Sequence, residues 1–310
     1  MAVIPNYRSR MERDYSRSNE VREATGTGRL GRRSYLKASG TALATLGGLF
    51  AGVGGATASS EGRTVDLNYD ACDAITDIYS VERPERAQLV EQGTTASETT
   101  LELTVPQNES WGTNTTFDLP ANGLGEPTEL YQSIRMRLDE EFSFREPGDN
   151  CRVFNAGLNS KWGTSGSGTD GPPTGADGWS SRLYVIDNGS RTGSFGLNVY
   201  TYHMDQQSGP GEEEVLEEDL FSPGEWHDIE TYVRMNTVDG TRANADGVVR
   251  VWVDGANVYD RGDFRWTTTP DQGHHRAGPV AHWGGPESPS RNSCVYYKDH
   301  RLVVGSNPRN

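Results

Sequence analysis

From Thr99 onward the chain returns again and again to a two-residue beat of apolar and polar side chains, and it never settles into a helical period. That beat belongs to strands with one face in a core and the other turned outward. It is cleanest from Trp226 to Met235, where Ile229, Tyr232-Val233 and Met235 carry the apolar positions. Val248 to Val253 and Ala256 to Tyr259 flank Asp254-Gly255, a dipeptide that tolerates the positive φ angles of a tight turn between twisted strands. Further strands are predicted at Thr99 to Val105, Glu129 to Leu138, Cys151 to Leu158, Ser181 to Ile186, Ser194 to His203 and Val295 to Val304. Strands this frequent, punctuated by Gly, Pro, Asn and Asp, predict an all-β domain over residues 99–310, a sandwich of two antiparallel sheets or a β-jelly roll. Residues 59–98 read as an extended polar arm. Two long loops are expected, Gly163 to Asp177 and Asp205 to Glu218, the second a solvated acidic stretch.

Residues 1–58 read as a targeting segment. Gly31-Arg32-Arg33-Ser34-Tyr35-Leu36-Lys37 is a twin-arginine sequence, followed by a weakly apolar run from Ala38 to Gly55 and an A-x-A site at Ala56-Thr57-Ala58. Gly47, Gly48, Gly52, Gly54 and Gly55 break that run, which suits a signal better than a membrane span. The expectation is twin-arginine export and a secreted, extracellular protein with no membrane association once the signal is removed. Nine of the 29 basic residues and four of the 44 acidic ones fall in that segment, so the remainder carries a charge of about −20. Its only lysines are Lys161 and Lys298. Such an acidic, lysine-poor surface resembles that of secreted proteins from salt-loving archaea. It argues against a nucleic-acid partner, because no basic stripe or Arg/Lys-rich helix occurs. Cys72, Cys151 and Cys294 allow one disulfide and one free thiol. No zinc or calcium-loop spacing is present, so no cofactor is expected beyond, at most, a structural calcium.

Chemistry concentrates between Lys161 and Tyr202. Lys161 precedes the Gly/Ser/Thr-rich loop. Gly178-Trp179-Ser180-Ser181-Arg182 and Tyr200-Thr201-Tyr202 then place polar residues two apart on two strands, so Ser180 shares a face with Arg182 and Tyr200 with Tyr202. A guanidinium, two phenols, a hydroxyl and an ammonium suit a carboxylated sugar from which a proton must be moved. Arg182 neutralises a carboxylate through paired, charge-assisted hydrogen bonds, which makes the neighbouring C–H acidic and stabilises the enolate. Phenols serve as base and acid where nearby cations lower a pKa of about 10. His203, next to Tyr202, is a further substrate-binding candidate. Arg135 and Arg137 share a face on an earlier strand and would extend a groove for a polyanion; solvated charges on an edge strand are the alternative.

In this order the segments resemble polysaccharide lyase family 14, the alginate and glucuronate lyases. Glucuronan lyases of family 20 are close relatives sharing the concanavalin-like jelly-roll plan. Gly224-Glu225-Trp226-His227, Arg234-Met235-Asn236-Thr237, Asp246 to Gly255 and His282-Trp283-Gly284-Gly285 fit as well, and the likeness spans Leu130 to Val304. The loop before Trp179 departs from the pattern at Pro172-Pro173. The resemblance implies β-elimination on a uronic-acid polymer by a monomer. The family's catalytic lysine falls on Lys161, its Ser-x-Arg on Ser180 and Arg182, and its Tyr-x-Tyr on Tyr200 and Tyr202. Two other functions fit a sandwich: a glycoside hydrolase and a non-catalytic carbohydrate-binding module.

Overall fold

The computed structural model describes residues 62–91, 98–146, 148–161, 171–189, 193–207, 210–270, 272–284 and 287–309, and the backbone of 36–37. The rest of the segment expected to be an export signal and residues 162–170 of the first long loop lie outside this set. The strands are β1 (Leu36–Lys37), β2 (Arg63–Leu67), β3 (Ser80–Glu82), β4 (Ala87–Glu91), β5 (Thr99–Val105), β6 (Trp111–Asp118), β7 (Glu129–Leu138), β8 (Asn150–Leu158) and β9 (Ser180–Ile186). They continue as β10 (Phe195–Tyr202), β11 (Glu212–Phe221), β12 (Trp226–Arg234), β13 (Val238–Asp239), β14 (Arg242–Ala243), β15 (Gly247–Val253), β16 (Ala256–Phe264), β17 (Arg276–Trp283) and β18 (Ser293–Val304). Among the described residues there is no α-helix, and no helix is long and apolar enough to cross a membrane.

Two large antiparallel sheets make a β-jelly-roll sandwich. The front sheet runs β11-β10-β9-β8-β17-β6-β3, and the back sheet runs β1-β2-β18-β7-β12-β15-β16, with β5 beside β18 and β4 beside β5. Alternation decides what goes between them. Ile134, Met136 and Leu138 of β7, Leu101 and Leu103 of β5, and Val249 and Val251 of β15 meet Leu183, Val185, Leu197 and Val199 of the front sheet in one continuous core. Large rings fill its two ends: Phe142, Phe144, Phe195 and Trp283 at one, Trp179, Trp266 and Phe264 at the other. The Asp254-Gly255 turn forms as the dipeptide predicts, with φ of 50° and 81° and Val253 opposite Ala256.

The structure differs from the sequence reading in three places. The second expected loop is cut short by β11, whose glutamates are strand residues: Glu212 and Glu214 both bind Arg261 of β16, and charge on an edge strand discourages pairing with another chain. The expected arm supplies β2, β3 and β4, which join the two sheets. All three cysteines are free, with Cys151 buried in the core.

Candidate functional site

The core takes one face of the front sheet, and strand register builds the other into rows. Tyr200 lies opposite Arg182 and Tyr202 opposite Ser180 on β10 and β9, while Asn155 of β8 lies opposite Arg182 on its other side. The first row therefore reads Asn155, Arg182, Tyr200 and, across the edge pairing, Glu213. All but Glu213 are buried: Arg182 and Tyr202 are 2 % exposed and Tyr200 6 %. The phenol oxygens of Tyr200 and Tyr202 are 3.1 Å apart, and the Gly211 amide donates to Tyr200 Oη at 2.9 Å. The Arg182 guanidinium carbon sits 5.0 Å from the Tyr202 ring centroid, a cation–π contact in a desolvated place. Tyr184 joins both rings in a small tyrosine cluster. Desolvation at the sheet edge lifts the Glu213 carboxyl above the usual range.

Three buried atoms on this face, Ser180 Oγ, Asn155 Oδ1 and Asn198 Oδ1, have no hydrogen-bond partner among the described residues. A buried polar atom left this way costs free energy unless a ligand satisfies it. Sugar hydroxyls would do so. Among the described residues no cluster of three or more His, Cys, Asp or Glu is placed to hold a metal ion.

Of the eight residues singled out from sequence, Ser180, Arg182, Tyr200 and Tyr202 meet here. Lys161 follows the end of β8, and the ladder runs from Leu158 through Ser180 to Tyr202, so the lysine stands at the tyrosine end of the face. Its ammonium donates to Ala176 O at 2.9 Å. His203 lies one residue past Tyr202, and period two turns it inward: it is fully buried, binds Glu212 at 2.6 Å and packs edge-on against Phe264. Burial lowers its pKa, against the pull of Glu212. Arg135 and Arg137 lie on the outer face of the opposite sheet, because Ile134, Met136 and Leu138 take the inward positions of β7. There Arg137 sits between the Trp226 and Tyr296 rings, and Arg135 pairs with Asp228 at 3.0 Å. A cavity of about 790 Å³ opens beside Arg135, mixing Lys298 and Arg301 with Asp66, Glu98, Asp228 and Glu230. These residues do not extend the tyrosine face.

Sequence reading missed Arg152, Asn155, Tyr184, Asn198 and Glu213. Tyr184 and Asn198 were within reach, since each is two residues from a residue already chosen. Arg152 and Asn155 were not: they are three apart, and both face outward only because β8 carries a bulge between Arg152 and Phe154.

A buried hydrogen-bond chain fixes β8 next to its second bulge. Gln132 Nε2 donates to the carbonyls of Asn155 and Ala156 at 3.3 and 2.8 Å, leaving Oε1 to accept from His300 Nε2 at 3.2 Å. His300 Nδ1 must then accept, and it takes the Tyr79 hydroxyl at 2.7 Å; Tyr79 accepts from Tyr69 at 2.9 Å. One direction of donation runs from the N-terminal segment to the strand that carries Asn155. Gln132→Leu strands two carbonyls and an imidazole N–H, so urea unfolding should show a loss of roughly 2–4 kcal/mol at unchanged m.

No protein-family description matches the chain, and no curated protein is significantly similar to it in sequence. Solved structures are similar. The alginate lyase Aly36B bound to an alginate trisaccharide is 18 % identical with a TM-score of 0.56, over 78 % of this chain and 98 % of that one. The alginate lyase vAL-1 from Chlorella virus gives 16 % and 0.53, over 74 % and 92 %. The PL-14 alginate lyase from Aplysia kurodai gives 17 % and 0.52, over 73 % and 90 %. The chain has their fold. At this level of identity the likeness speaks for the jelly roll, and function must be argued from the side chains.

Proposed function

We propose that the protein is an exported polysaccharide lyase that cleaves a uronic-acid polymer, alginate or glucuronan, by β-elimination. The observation that carries this reading is the 3.1 Å contact between the Tyr200 and Tyr202 phenols beside a buried Arg182. Arg182 takes the substrate carboxylate and stabilises the enolate that forms when the neighbouring proton leaves. The Gly211 amide favours negative charge on Tyr200 Oη, which makes Tyr200 the base. The C–H bond breaks toward Tyr200, a carbon–carbon double bond forms, and the C–O bond to the departing sugar breaks. Tyr202 protonates that oxygen. The proton gained by Tyr200 then returns to Tyr202 across their contact, which resets the pair. Ser180, whose hydroxyl is buried opposite Tyr202, orients the sugar. Lys161, at the same end, adds positive charge. The alginate lyases of the same fold, one of them bound to an alginate oligosaccharide, agree with this choice of polymer.

The hydrolase reading has less support. A retaining hydrolase needs two carboxyls about 5–5.5 Å apart. Register puts Glu213 on the edge strand β11, with Glu82 and Asp118 on the last two strands at the other side of the same sheet. The decisive test is the product: elimination leaves an ultraviolet-absorbing unsaturated end and hydrolysis leaves none. Reducing ends without absorbance would overturn the proposal.

A further inference from the structure

A second row crosses the tyrosine face two residues from the first. Register runs Trp111 to His282, His282 to Arg152, Arg152 to Tyr184 and Tyr184 to Asn198, across five adjacent strands. Two residues along a strand advance about 6.7 Å, the scale of one hexopyranose ring. The row lies on the side of Arg182 away from Ser180 and the Lys161 end. Arg152 is only 4 % exposed, and its guanidinium carbon lies 5.6 Å from the Trp111 centroid. The His282 ring packs against the same indole at 4.2 Å. His282 Nδ1 lies 3.1 Å from Ser110 O; a carbonyl only accepts, so Nδ1 holds the proton and Nε2 presents a lone pair in the neutral ring. Burial, then the charges of Arg152 and Arg182, keep that ring neutral, which also places both guanidiniums within electrostatic reach of it. At the far end Asn198 is 1 % exposed, with its Oδ1 unsatisfied.

We infer that this row is a second uronate subsite, taking the sugar next to the one that reacts. Its carboxylate binds Arg152, and its hydroxyls bind Asn198 Oδ1 and His282 Nε2, while Trp111 holds the guanidinium and the imidazole in place. Charge favours this occupant. Among the described residues, the outward positions of the four central strands β10, β9, β8 and β17 include Arg152 and Arg182 and no carboxylate, in a chain of net charge −15. A neutral glycan would gain nothing from a second buried guanidinium, whereas a polyuronate presents a carboxylate on every residue. The inference rests on the polyuronate reading.

The test uses Arg152→Gln and Asn198→Ala, checked for a folded circular dichroism spectrum, on polymer and on mannuronate and glucuronate oligomers from dimer to hexamer. Arg152→Gln is expected to raise KM on polymer and longer oligomers about ten-fold or more, with kcat within about three-fold. The dimer, which spans both rows, should lose the same factor. Asn198→Ala should move KM in the same direction by a smaller factor, and it decides the matter if Arg152→Gln does not fold. Wild-type KM in the folded variants would overturn the subsite and leave the lyase reading standing. If the wild type eliminates none of these substrates, the lyase reading falls and titration calorimetry with the tetramers decides the subsite. Binding weakened by Arg152→Gln or Asn198→Ala would sustain it; equal binding, or none, would end it.

Discussion

Tyr200→Phe and Tyr202→Phe are each expected to lower kcat on a polyuronate by roughly 10²–10⁴-fold, the usual contribution of a positioned acid or base. The rings pack against each other and against Tyr184, so phenylalanine keeps the packing and removes only the oxygen that carries the proton. KM should stay within about three-fold, because Arg182 and Ser180 still hold the sugar. Steady-state kinetics separates these effects: a fall in kcat at constant KM reports an interaction made only in the transition state. Tyr200→Phe also strips the Gly211 amide of its acceptor, which costs about 1 kcal/mol of stability without touching the Tyr202 proton. Full turnover in both variants would remove the phenols from the mechanism. A carbohydrate-binding module would bind equally well with or without either hydroxyl.

Mild acid is expected to unfold this protein more readily than its carboxylates alone would require. His274 and His300 are fully buried, and burial pushes both pKa values down to about 3. His282 is lowered further and His203 is lowered as well, again chiefly by burial. The unfolded chain takes up these protons near pH 6.5 and the folded protein does not, so stability is full above about pH 6.5 and falls as pH drops through that value. At pH 5 the two histidines near 3 cost roughly 2 kcal/mol each. Asp205 and Glu212 have lowered pKa values and add to the loss at lower pH, whereas half-buried Asp139 and buried Asp149, held above the usual range by desolvation, act in the opposite sense. Urea midpoints between pH 8 and 5 check this. A midpoint flat across that window would contradict the burial of neutral histidines, and His300→Phe should flatten part of the slope.

The sheets were legible wherever one face of a strand is apolar. β7, β10, β12 and the β15–β16 hairpin show their alternation openly, and Asp254-Gly255 marks the turn itself. β6 hid because threonines replace hydrophobic residues on its inward side: Thr115 Oγ1 donates to Pro279 O at 2.6 Å, and Thr113 does the same to Glu82 O. β17 hid behind Gly278-Pro279, which ordinarily breaks a central strand. Here register shifts between Arg276 and Gly278 and between Pro279 and His282 accommodate the pair. β11 hid behind its glutamates, whose partners come from β16 and are distant in sequence. The same physics limits the site. Ser180 with Arg182 and Tyr200 with Tyr202 were visible as i, i+2 pairs on single strands. The amide of Gly211, Asn155 beyond a bulge, and the Arg152–Trp111–His282 contact are products of register, which a sequence does not display. Arg135 and Arg137 show the converse: they share a face as predicted, on the wrong sheet, because alternation says nothing about which layer a strand joins.

The central claim is β-elimination on a polyuronate, and ultraviolet absorbance of the protein mixed with alginate, polymannuronate, polyguluronate and glucuronan tests it most directly. Concentrated salt is the right medium, since an acidic protein and an acidic polymer repel and salt screens that repulsion. The account predicts absorbance rising with time on at least one polymer, in step with new reducing ends. Reducing ends that appear with no absorbance, or no change on any of the four polymers, would contradict it.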